Sequence, residues 1–189
     1  PELFKELICA IYKPEHGERQ EVTDASRATA RRAWDVLHHC KRLPGTQSEW
    51  GIDADKFIHF IQEARELCSD ADRPTMCDQT LGQILSHSPA DEDGTWPFTP
   101  AREILESPEL EHMRTGFITG TINKRGVTSR SPWDGGDQER DLAAHYRNQA
   151  ERVQHSHPNV AAMLDQLAQG YERHGKREDV EANLRKEGF

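Results

Sequence analysis

IDADKFIHFIQEARELCS, residues 52–69, reads as a helix from end to end. Phe57, Phe60, Ile61, Ala64, Leu67 and Cys68 recur every three or four positions, so they share one face of a rod that turns every ~3.6 residues. Asp53 stands where a side-chain oxygen can cap the first turn, and Ile52 can staple onto Phe57. Lys56, Glu63 and Arg65 fall off the stripe, toward water.

The same period extends in both directions. Upstream, from about Thr23 to Arg42, Ala30, Ala33, Trp34, Leu37 and Cys40 form a stripe that Pro44-Gly45 ends. Downstream, Cys77, Leu81, Ile84 and Leu85 predict a short helix before Pro89. Thr99-Pro100 and Ser107-Pro108 each open a further helix, proline being favoured at the first helical position. The second of these turns Leu110, Met113, Phe117, Ile118 and Ile122 inward. Gly116 and Gly120 in GFITG read as a close helix contact, because the G-K-[ST] ending of a phosphate loop is missing. Leu142, Tyr146, Gln149, Ala150 and Val153 mark another helix, and Val160, Met163, Leu164, Leu167 and Tyr171 the next. Gly175 is expected to break that one, leaving Val180 and Leu184 on a last short helix. No alternating run is long enough for a strand. The fold class is all-α, an irregular bundle or short α–α superhelix of about 7–9 helices. A soft boundary near residue 95 divides it into subdomains 1–95 and 96–189, unless the two form one domain.

With 30% charged and 34% hydrophobic residues among 189, the chain suits a thin helical layer or a domain leaning on another. It starts at Pro1, which suggests a segment of a longer protein. No apolar run approaches the ~20 residues a membrane helix needs, and no signal peptide is evident, so a cytoplasmic location and no membrane are expected. Cys9, Cys40, Cys68 and Cys77 are too sparse for a disulfide scaffold and lack paired zinc spacing; they read as reduced thiols.

A net charge of −9 argues against nucleic acid as a partner. PADEDG fails as a calcium loop, because prolines occupy the positions where the first and last carboxylates belong. His38, His39 and Cys40 are adjacent on a helix and diverge, and the pair His155 and His157 sits at a helix end. Neither group predicts a metal. G-x-S-x-G, H-E-x-x-H and G-x-G-x-x-G are all missing. No cofactor is expected, and the missing motifs lower the case for catalysis without abolishing it.

Leu164, Leu167, Ala168, Tyr171, Gly175, Val180 and Leu184 fall at spacings similar to the packing positions of one tetratricopeptide repeat. The stretch 164–187 resembles such a helix pair, with Val180 and Glu187 departing from its small-residue positions. The resemblance implies protein or peptide binding.

One further passage stands out: TINKRGVTSRSPWDGGDQER, residues 121–140. From Met113 to Trp133 no residue is acidic, in a chain with 33 carboxylates. In one reading Lys124, Arg125 and Arg130 attract an anion. Asn123 and the N–H groups of Gly135 and Gly136 would cradle it, and Trp133 would stack on a ring. In the other, Lys124 and Arg125 answer a helix dipole, Gly126 ends that helix, Asp134 or Asp137 caps the next, and Trp133 covers the core. The chain is thus expected to be a helical interaction or scaffolding domain whose partner is a protein or the rest of its parent polypeptide. The alternative is an anion- or nucleotide-binding regulatory module built on the basic loop 123–133.

Overall fold

The computed structural model describes residues 1–17, 21–48, 51–126, 131 and 133–187. Among them the chain is all-α apart from one small β-pair. The elements are α1 (Glu2–Ile11), α2 (Asp24–His39), β1 (Thr46–Ser48), β2 (Gly51–Ile52), α3 (Ala54–Asp70), α4 (Pro74–Leu85), α5 (Thr99–Glu106), α6 (Glu111–Lys124), α7 (Asp137–Val153) and α8 (Pro158–Lys186). A 3-10 turn at Pro108–Leu110 leads into α6.

α3 is built as its sequence dictates: Asp53 accepts the Lys56 N–H at 3.1 Å, and Phe57, Ile61, Ala64 and Cys68 are buried. α1, a helix the apolar period did not single out, buries Phe4 and Ile8 at i, i+4 spacing. The loop near 44–52, expected to lack strands, holds the antiparallel pair β1–β2, with Thr46 opposite Ile52 and Ser48 opposite Gly51. Gly45, at φ +76°, is the left-handed residue of the turn that leads into β1. One hydrophobic cluster runs from Phe4 on α1 through α3, α4, α5 and α6 to Tyr171 on α8.

α4 and α6 lie side by side and parallel. A Cβ on Gly116 would fall 2.7 Å from the Gln79 carbonyl carbon, and one on Gly120 would fall 2.8 Å from Gln83 Cα. The GFITG glycines are therefore a close helix contact, completed from the other side by Gly82, which meets Met113 and Phe117. α7 and α8 form an antiparallel hairpin in which Gly136 faces Gly175 and Tyr146 faces Tyr171.

Three expectations are corrected. α8 runs unbroken through Gly175, so 164–186 lies along one rod. The missing side chain lets the α7 start approach instead of turning the chain. Val180 and Leu184 are consequently exposed, and Ala182 is the residue buried near that end. Ile122 and Trp34, expected inward, are also about half exposed, and α2 buries only Ala33.

The helix starts show where part of the acidic surplus goes. Thr75 N–H near the start of α4 donates to Glu15 at 2.8 Å, and Thr99 N–H of α5 donates to Asp91 at 3.0 Å. Glu106 accepts from Asn159 and Val160 at the start of α8, at 3.0 and 3.1 Å. Gly136, before α7, donates to Asp179 at 2.8 Å. Carboxylates thus satisfy otherwise unpaired N–H groups at the positive poles of four helices.

Candidate functional site

Among its described residues, the basic passage after Met113 does not gather into one site. Lys124 and Arg125 are consecutive at the end of α6, and neighbouring side chains on a helix diverge by ~100°. Arg125 turns toward α7 and α8, where its Nη2 lies 2.6 Å from Glu139 Oε1. The Glu139 side chain is 0% exposed and the Arg125 side chain 16%. The guanidinium also sits 5.6 Å from the centre of the Tyr171 ring. Lys124 turns the other way. Its Nζ donates to the Ser86 carbonyl at 2.8 Å, beyond the end of α4, and lies 5.4 Å from the Trp96 ring centre.

An aromatic row links the two cations. Trp96 is 6.0 Å from Tyr146, which stacks on Tyr171 at 5.7 Å with rings 9° apart. Lys124 rests on one end of the row and Arg125 on the other, so each end of the row meets positive charge. Burial, and then the neighbouring Tyr171, pushes the Tyr146 phenol up to about 12. Burial likewise raises Tyr171 and lowers the Lys124 ammonium.

The remaining expected residues separate further. Asp134 and Asp137 do not cap α7: Asp134 accepts from Ser131 N–H at 2.9 Å, and Asp137 pairs with Arg140. Asp179 takes the Gly136 N–H, so the chain's own carboxylate occupies the pole that a bound anion was expected to use. A Cβ on Gly135 would likewise run into the Asp179 carboxylate. Trp133 is about half exposed, not folded over the core. Arg130 lies outside the described residues.

Asn123 and Lys124 do come together, on a cavity of about 320 Å³. The cavity opens where the C-terminal ends of α1, α2, α4 and α6 meet. α1 brings Ile11 and Tyr12; α2 and the residues after it bring Trp34, Leu37, His38, Cys40 and Lys41. α4 and its continuation bring Gln83, Ile84 and His87, and α6 brings Gly120, Asn123, Lys124 and Gly126. Gly126, at φ +66°, ends α6 in the left-handed conformation.

Lys41 and Lys124 give this lining its positive charge, with His38 and His87 beside them; among the described residues no carboxylate lines it. Burial, then Lys124 and then Lys41, hold the His87 imidazole below its ordinary range. Trp34 stacks in parallel on His38, centroids 4.4 Å apart and planes 12° apart, and is 47% exposed. An ammonium carries three N–H donors, and Ser86 takes one of Lys124's. The cavity can therefore offer ammonium donors, two side-chain amides and a flat ring surface to one small molecule.

Lys41, His87 and the Trp34–His38 pair were invisible as a site in the sequence, because they come from the ends of different helices. The only local trace was the HHC run at 38–40, which fails as a metal motif and here contributes a ring wall instead. Among the described residues, no three His, Cys, Asp or Glu side chains are grouped to hold a metal ion. Nor is any described helix long and apolar enough to cross a membrane.

No family model, curated protein or solved structure matches this chain.

Proposed function

We propose that this chain is a small-anion-binding helical domain whose site is the cavity between the ends of α2, α4 and α6. The observation that carries the reading is the set of side chains that line the cavity. Two lysines and two histidines gather around one cavity, and no described carboxylate joins them, in a chain of net charge −9. Confinement by apolar walls strengthens each charge relative to open water. A ligand of about this cavity's size is a small molecule, since binding cavities typically start at ~300 Å³.

Titration with phosphate and pyrophosphate at low salt, read by melting temperature, tests the reading. At a hundred times its dissociation constant a ligand stabilises by about 2.7 kcal/mol, or roughly 5–10 °C here. Lys124→Met retains the aliphatic contact with Trp96 and removes the donors. Its free form is expected to lose no more than about 2 kcal/mol, as the Ser86 carbonyl loses its partner while the cost of a buried ammonium disappears. Its anion-induced stabilisation should vanish. No shift with any anion, or an undiminished shift in Lys124→Met, rejects the proposal.

A second reading, a helical interaction domain for a protein partner or the rest of its own polypeptide, rests on α2. That helix buries only Ala33 and leaves Trp34 and Val36 about half exposed. The same titration separates the two, because an anion-insensitive protein would leave only this second reading standing.

A further inference from the structure

The cavity holds more than a charge trap needs. An inorganic ion would occupy the space near the lysines and leave the apolar walls of Leu37 and Ile84 facing water. On α2, Trp34 and His38 stack face to face and both line the cavity, with Trp34 about half exposed. The amides of Gln83 and Asn123 each carry both donors and an acceptor, which suits the edge of a heteroaromatic ring.

Resting on the anion-binding reading above, we infer that the occupant is a planar heteroaromatic ring carrying a single phosphate, of nucleoside monophosphate size. Lys41 and Lys124 meet the phosphate, whose charge approaches −2 near neutral pH. The ring lies on the free face of Trp34, where stacking tolerates any base because every base has a π-face. Size sets the upper limit. At about 320 Å³ the cavity sits at the bottom of the ~300–1,000 Å³ range for small-molecule sites, which leaves no room for a dinucleotide.

The test is calorimetric titration of the full chain with adenosine monophosphate, uridine monophosphate, ribose 5-phosphate, inorganic phosphate and adenosine, in the wild type and in Trp34→Leu. Trp34 is about half exposed, so the variant should fold. Both nucleotides are expected to bind at least about tenfold more tightly than ribose 5-phosphate, and Trp34→Leu should erase that advantage while leaving the binding of inorganic phosphate unchanged. If ribose 5-phosphate matches the nucleotides, or Trp34→Leu leaves their advantage intact, the ring assignment is overturned and the anion site survives. If adenosine binds as tightly as its monophosphate, or if nothing binds, the anion site fails with it.

Discussion

Replacing Gly116 by alanine tests the contact on which the cavity's position depends. The new Cβ would lie 2.7 Å from the Gln79 carbonyl carbon and closer still to its oxygen, against about 3.4 Å for an ordinary contact. The obstacle is backbone, so no side chain can rotate aside, and α4 and α6 must part by roughly 0.7 Å or more. A gap of ~0.5–1 Å forfeits a quarter to a half of each dispersion contact across it. Leu81, Leu85, Met113 and Phe117, all fully buried on these two helices, would each lose roughly 0.5–1 kcal/mol. Alanine's advantage over glycine in a helix returns about 1 kcal/mol. The net expectation is a loss of about 1–3 kcal/mol. Gly170 is the matched control: it lies inside α8, and a methyl group placed on it would meet nothing within 4 Å. Gly170→Ala should therefore stabilise by roughly 0.5–1 kcal/mol. Urea unfolding followed by circular dichroism measures both. A Gly116→Ala protein as stable as Gly170→Ala would show that the two helices do not meet at these glycines.

Two further outcomes follow from the titratable groups. The Gly136 N–H, and then Arg140, hold the Asp179 carboxyl below its ordinary range; its contribution is present above about pH 4 and is lost as pH falls through the lowered value. Asp179→Ala should speed amide exchange in the first turn of α7 and flatten that part of the pH profile, and unchanged exchange would dismiss Asp179 as the cap. For His87 the sign is reversed: its folded value is depressed, so the unfolded chain binds the proton first and stability falls as pH drops below about 6.5. Lys124 on α6, Lys41 and His38 at the end of α2, and Tyr12 after α1 share its cavity, and a bound anion would offset the two ammoniums, so anion affinity should rise from pH 7 to 6. His87→Asn should remove both trends in melting temperature, and a profile identical to wild type would exclude His87 from the site.

Local chemistry explains what the sequence made legible. The α3 stripe, the Asp53 cap, the proline starts and the GFITG contact depend on residues a few positions apart, where helical geometry alone fixes who meets whom. Errors arose where a distant partner decided. Gly175 looked like a stop, yet it lies against Gly136, and the helix continues because its bare backbone is what α7 packs on. The expected caps of α7 were the near carboxylates Asp134 and Asp137, but Asp179, 43 residues from Gly136, takes the position. The described residues of the expected site separate for the same reason. Lys124 and Arg125 are adjacent in the chain and part in space, whereas Lys124 and His87 are distant in the chain and share a cavity.

One electrostatic rule bears on both the site expected from the sequence and the one proposed here. Carboxylates collect at the starts of α4, α5, α7 and α8, where the poles are positive, which disposes of the N-terminal anion cradle expected at Gly135 and Gly136. The cavity lies at the opposite ends of α1, α2, α4 and α6, where four poles each carry the equivalent of about −0.5 charge. Lys41 and Lys124 bring about as much positive charge as those poles bring negative, so helix ends alone are reason enough for lysines to gather there. A dianion entering such a balanced cavity needs additional positive charge. His87, neutral in the empty site and facing both ammoniums, can supply it by taking up a proton. Proton uptake on anion binding is therefore what distinguishes a ligand site from lysines that do no more than answer helix dipoles.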